Sequence, residues 1–154
     1  MLMDKQQILA DAQTLIHAAG SWNSDNIIDL WGGVSLPSGP LGTPPYDFGK
    51  GGSMRILAQI VETFLAAAGA ATLQIALVNA DDAPLTVNPI TLAKTEAITK
   101  VDLVAGYQFT ELGFVPAKCV RRYLGAILTI ATNPGTAGKL TLALLFDRQE
   151  VGLV

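Results

Sequence analysis

The sequence predicts an all-β protein: a jelly-roll β-sandwich of about eight strands, with an N-terminal arm or short helix and a long Gly/Pro-rich loop. Three observations carry this expectation. Apolar residues recur with a period of two through most of the chain after residue 26, the mark of strands with one buried face. Gly, Pro, Asn and Asp separate those runs at short intervals, as in sandwiches and barrels. The 154 residues suffice for one domain with a single core, and one cysteine, Cys119, excludes an internal disulfide framework. The expected division is an arm or short helix over 1–25 and a single sandwich domain over 26–154.

The elements follow in chain order. In DKQQILADAQTLIHAA (4–19), Ile8, Leu9, Ala12, Leu15, Ile16 and Ala19 stand at helical spacing, with Asp4 placed to cap and Gly20 to end the helix. The segment therefore reads as a short amphipathic helix on the domain, or as an arm that orders against a neighbour. NIIDLW (26–31) is a short β-type run. Over 53–64, Met54, Ile56, Ala58 and Ile60 face one way, and Leu57, Gln59 and Val61 the other. In TLQIALVN (72–79), Leu73, Ile75 and Leu77 alternate with Thr72, Gln74 and Ala76, and NADDAP (79–84) then signals a turn. AITKVDL (97–103) and a shorter segment near AGYQFTEL add further strands.

RRYLGAILTIATNPGTAGKLTLALLFD (121–147) reads as a hairpin. Leu124, Ala126, Leu128 and Ile130 share one face of its first arm, and Leu140, Leu142, Leu144 and Phe146 the same face of its second. Asn133-Pro134-Gly135 suits a type II turn, with Gly135 at the position of positive φ. The opposite face, with Tyr123, Ile127, Ala143 and Leu145, carries no charge between Arg122 and Lys139. That face, or the tip 132–138, is expected to be partly covered by a neighbouring subunit.

Residues 32–52, GGVSLPSGPLGTPPYDFGKGG, are eleven Gly or Pro in 21 and cannot form a regular ladder. A loop of this length in a compact domain usually serves a function, here either folding over its own sandwich or gripping a partner.

Charged residues make up 15% of the chain and hydrophobic residues 50%, against about 25% charged in ordinary soluble domains. Either a membrane or protein neighbours would shield such a surface. The uncharged window 63–80 contains Thr63, Gly69, Thr72, Gln74 and Asn79, and the window 123–138 is broken by Asn133, Pro134 and Gly135. Asp4, Lys5 and Asp11 leave no signal-peptide apolar region. Shielding by protein is the expectation, with no membrane. A net charge of −3 and scattered basic residues give no footprint for nucleic acid.

Chemical motifs fail on spacing or inventory. Six residues separate Gly42 from Gly49 where a phosphate loop has four, and Gly51 follows Lys50 where Ser or Thr is needed. His17 is the only histidine, so a multi-imidazole metal site is excluded, and a triad would have to use this N-terminal residue. Asp81-Asp82 with Asn79 lacks EF-hand spacing. Asp47, Glu62, Asp102, Glu111 and Glu150 form no pair that spacing recommends. No cofactor, no metal and no enzymatic activity are expected. Trp22, Trp31 and Tyr46 would serve as sugar-stacking platforms in an alternative reading, a carbohydrate-binding sandwich.

MLMDKQQILADAQ, NIIDL, YDFGKGG, IVETF, LQIALVNADDA, AGYQF, RRYLGAILTIAT and AGKLTLAL occur in an order that resembles the small capsid cement (decoration) proteins of tailed bacteriophages, of the Bordetella-phage type. The resemblance runs over nearly the whole chain, and it rests on order and spacing, since each motif is short. It implies a jelly-roll sandwich on the outside of an icosahedral shell, stapling capsid subunits, without a catalytic site. It also implies the major capsid protein as partner, self-association as a dimer or trimer, and residence on the virion after synthesis in the host bacterial cytoplasm. The chain departs from the pattern in its longer Pro/Gly-rich 32–48 region and in the tryptophans beside NIIDL. The inferred contacts to capsid or subunit are Leu9, Leu15, Trp22, Trp31, Leu36, Leu41, Tyr46, Phe48, Ile127 and Leu145.

Overall fold

Nine strands in two antiparallel sheets, packed face to face as a sandwich, make up the computed structural model, which describes residues 7–30, 54–115, 119 and 121–146. The strands are β1 (Ile8–Thr14), β2 (Gly20–Asn23), β3 (Ile28–Asp29), β4 (Met54–Ala66), β5 (Thr72–Ala80), β6 (Ile90–Lys94), β7 (Ile98–Thr99), β8 (Tyr123–Ala131) and β9 (Gly135–Phe146). One sheet has the order β1-β9-β4; the other runs β2-β8-β5-β6, with β3 on β8 and β7 on β5.

The alternation read from the sequence sets which side of each long strand is buried. Met54, Ile56, Ala58 and Ile60 of β4, Leu73, Ile75 and Leu77 of β5, Leu124, Ala126, Leu128 and Ile130 of β8, and Leu140, Leu142 and Leu144 of β9 all lie in one core between the sheets. Burying each of the leucines and isoleucines contributes about 1.5–3 kcal/mol, so this layer dominates the stability. The Phe146 side chain lies outside the described residues. A bulge between Ile60 and Glu62 shifts the register of β4, which leaves Val61 and Glu62 both exposed and returns Phe64 to the core.

Of the two N-terminal readings, an arm or a short helix, the helix is corrected. Residues 8–14 form β1, an edge strand on β9, and residues 20–23 form β2 on β8. The helical spacing arises from irregular pairing: register shifts fall at Ile8/Ala10 and Ala10/Gln13, and Ala12 has φ 49. Inward residues are consequently Leu9, Ala10, Gln13 and Leu15, steps of one, three and two that imitate a helix face. Gln13 then ties the two sheets together. Its side-chain amide donates to the Asn23 carbonyl at 3.1 Å, and its carbonyl accepts from the Asp25 N–H at 3.1 Å. Asn26 caps the edge of β1 at the carbonyls of Leu9 (2.9 Å) and Ile8 (2.8 Å).

The 121–147 hairpin is corrected as well. β8 pairs with β5, β2 and β3, whereas β9 pairs with β1 and β4, so the two arms belong to opposite sheets. The connection crosses the end of the sandwich. Its left-handed residue is Thr132 (φ 74), not Gly135. Gly135 meets a different demand, close approach: a Cβ there would lie 2.1 Å from the Leu15 carbonyl oxygen.

The outer edge of β4 is covered by residues 103–115. Backbone bonds run from Phe64 N–H to Leu103, Ile60 N–H to Tyr107, Phe109 N–H to Ala58, Ile56 N–H to Gly113 and Val115 N–H to Met54, at 2.8–3.0 Å. The strand expected near AGYQFTEL is reduced to isolated bridges at Gln108 and Phe114, because a 3-10 turn (Thr110–Leu112) and Gly113 at φ 51 interrupt it. Leu103, Phe109, Leu112 and Val115 still point into the core.

Candidate contact surfaces

Two outward faces remain once the core is assigned. On the three-stranded sheet, cross-strand register lines up outward residues in rows. Phe114, Arg55 and Leu145 form one row, Leu57, Ala143 and Ile8 the next, and Gln108, Gln59 and Thr141 a third. Arg55 is the charged residue of these rows, its guanidinium 5.4 Å above the Phe114 ring. Between β4, the end of β9 and residues 108–114 lies an open groove of about 470 Å³, lined by Arg55, Leu57, Gln108, Phe114 and Leu145. Phe114 is 44% exposed. The next row is the Glu62–Lys139 ion pair at 2.8 Å, half-exposed and of little energetic weight.

On the six-stranded sheet the outer face is half occupied by the chain itself. Residues 81–89, between β5 and β6, fold back so that Leu85 (3% exposed) joins Val78 and Ala80, with Ile27, Ala76, Tyr123 and Ile127 packed around them. Beyond this cluster the face turns polar, with Ser21 and Thr129 hydroxyls 2.7 Å apart and the Gln74 side chain donating to the Thr95 carbonyl.

The residues singled out in the sequence therefore scatter. Leu9 and Leu15 are fully buried and serve the core, which corrects them as surface contacts. Trp22 is half-buried against the core, with His17 stacked 4.2 Å from it. Ile127 and Leu145, expected on one face of a hairpin, lie on the outer faces of different sheets. Ile127 packs in the cluster under Leu85, and Leu145 lines the groove. Trp31, Leu36, Leu41, Tyr46 and Phe48, with the whole 32–52 loop, lie outside the described residues.

The polar residues form structural clamps. Arg121 pairs with Asp81 at 2.7 Å, and Arg122 grips both Asp29 oxygens at 3.0 and 2.9 Å, a bidentate geometry. The only adjacent basic pair in the chain thus holds β3 and the 81–89 segment to the start of β8. Asn79, fully buried, donates to the carbonyls of Arg121 (3.0 Å) and Tyr123 (2.7 Å) and accepts from Arg121 N–H at 2.6 Å. Sequence reading meets Asn79 and Asp81 only as a failed calcium motif and does not pair them with Arg121, because the partners of these residues lie 40 or more positions away. Asp82 accepts from the N–H groups of Thr86 (2.7 Å) and Val87 (2.8 Å), and from the Thr86 hydroxyl. Both carboxylates of the Asp81-Asp82 pair are thereby engaged within the fold, and among the described residues no three His, Cys, Asp or Glu side chains gather as metal ligands. Cys119 packs against the core, where burial pushes its thiol up to about 12, far from a reactive thiolate. No helix among the described residues is long and apolar enough to cross a membrane.

These clamps set an acid response. The Arg121 guanidinium, helped by the Asn88 amide, holds Asp81 below the ordinary value of 3.8. At Asp82 desolvation pushes upward, but the bonds from Thr86 and Val87 outweigh it and the carboxyl again lies low. A carboxyl with a lowered folded-state pKa adds stability that is present above 3.8 and lost as pH falls through the folded value. The methyl resonances of Leu85 and Ile127 are therefore expected to shift on acidification below 3.8, before those of main-core residues such as Ile75 and Leu128. Simultaneous loss of all of them would show that the clamps titrate only with global unfolding.

Across residues 9–144, which take in both sheets, the chain matches the family model of Bbp16, a Bordetella phage protein. No curated protein matches it.

Proposed function

The chain belongs to the Bbp16 family of phage proteins, and on that premise we propose that it is a structural virion protein which binds the outer capsid surface and cements neighbouring capsid subunits. Its partners are the major capsid protein and further copies of itself, as a dimer or trimer. The family match over nearly the whole sandwich is the observation that carries this reading. The charge-poor rows around Leu145, Leu57 and Phe114 support it, because a face of mixed apolar and amide groups suits a protein neighbour better than open solvent. Many weak contacts repeated over a closed shell give avidity without any single strong site.

The test is to mix the protein with purified shells that lack it and pellet them. The expected result is co-pelleting, with the decorated shells withstanding heat longer than bare ones. Leu145→Glu places a charge in the groove face and is expected to weaken pelleting roughly 10-fold, as loss of an interface anchor does, with the unfolding midpoint unchanged because Leu145 is part-exposed. Absence of co-pelleting by the unsubstituted chain would overturn the cementing role. Unchanged pelleting of the variant would move the contact off this face.

A further inference from the structure

We propose that residues 81–89 form a strap that opens separately from the sandwich and uncovers an apolar patch on the outer face of the six-stranded sheet. The strap holds its own shape. Asp81 N–H donates to the Val87 carbonyl and Leu85 N–H to that of Asp82, each at 3.1 Å, and the Asp82 carboxylate collects the N–H groups of Thr86 and Val87. Its hold on the sheet is narrow by comparison. One apolar side chain, Leu85, seats on Gly125, where an added Cβ would come within 2.8 Å of it. The Asn23 side chain donates to the Pro84 carbonyl at 2.9 Å, and Asp81 pairs with Arg121 on the exposed surface.

One feature opposes closure, the backbone conformation at Leu85. Leu85 and Asn88 have φ of 60 and 48, a left-handed conformation that Asn tolerates and leucine strongly resists. Strain of this kind persists only where surrounding contacts over-determine it. Here those contacts are a small cluster, Val78, Ala80 and Leu85, set apart from the main core on the opposite face of the sheet. Segments with few buried apolar contacts and exposed polar fastenings open at lower free energy than core strands. Lifting the strap uncovers Val78, Ala80 and Ile127 without breaking the ladder between β5 and β8.

Thiol labelling of native protein tests this. In a Cys119→Ser background, Val78→Cys reports the patch under the strap and Ala126→Cys the core, since Val78 is buried in the cluster with Leu85 and Ala126 is fully buried between the sheets. The patch thiol is expected to react on the order of 100-fold faster than the core thiol, at a rate insensitive to low denaturant, as local opening requires. Adding Asp82→Asn is expected to speed the patch thiol further and leave the core thiol unchanged. Equal rates with equal denaturant dependence at both positions would overturn the proposal. Hydrogen exchange of the unsubstituted chain gives a second reading should a cysteine variant fail to fold. Protected amides in 81–90 exchanging ahead of those in β5 and β8 supports the strap, and exchange of all of them together refutes it.

Discussion

Gly135→Ala is expected to destabilise the protein by about 3 kcal/mol or more, at the upper end of overpacking penalties, and to leave much of the chain insoluble. The new Cβ would stand 2.1 Å from the Leu15 carbonyl oxygen, 3.0 Å from Phe64 and 3.2 Å from Ile130. The nearest of these atoms is backbone and cannot rotate away. It is also pinned, because Leu15 N–H donates to Gly138 and Gly135 N–H donates to His17, both at 2.9 Å. Making room means parting β1 from β9 where both sheets close over the core. Gly113→Ala is the control: it has nothing within 4 Å of the added Cβ, but φ 51 with ψ −107 is a conformation that only glycine adopts readily, so it costs about 1–3 kcal/mol from backbone conformation alone. Denaturant unfolding compares the two. A loss at Gly135 no larger than at Gly113 would show that the β1–β9 junction spreads easily.

The second large effect is expected at Asn79. Asn79→Leu preserves approximate size but strands the N–H of Arg121 and the carbonyls of Arg121 and Tyr123, which the amide now satisfies at 2.6–3.0 Å. Each unsatisfied buried group costs about 1–3 kcal/mol, and a combined loss of about 3–5 kcal/mol follows. Asn79→Asp should rescue little, since the carboxylate keeps the acceptor for Arg121 N–H but sets negative charge against two carbonyls. Unfolding midpoints of both variants check this. A neutral Asn79→Leu would mean that water reaches the start of β8 and replaces the amide.

Much of the fold is legible in the sequence because burial imposes a period on it. The inward faces of β4, β5, β8 and β9 follow the alternation of Met54 to Ile60, Leu73 to Leu77, Leu124 to Ile130 and Leu140 to Leu144. β1 reads as a helix because its bulges spoil the period of two. The candidate surface is harder to read. Leu145 stands out in the sequence, but its row with Arg55 and Phe114 depends on register across β4 and on an irregular segment that periodicity does not reveal. Leu9 and Leu15 look like contact residues only while residues 1–25 are read as an arm or a short helix apart from the sandwich.

By itself the sequence determined the class of this protein: an all-β sandwich whose apolar alternation specifies which side of each long strand faces inward. The ordered motifs pointed to the phage family that the chain matches. Only the tertiary structure decided which strands pair, and with it that RRYLGAILTI and KLTLALL enter opposite sheets and that Ile127 and Leu145 face apart. The physical reason is that side-chain burial is written along the strand, residue by residue. Backbone pairing uses the same N–H and C=O groups at every position, so the partner is chosen by distant contacts such as Gly135 against Leu15 and Asn79 against Arg121.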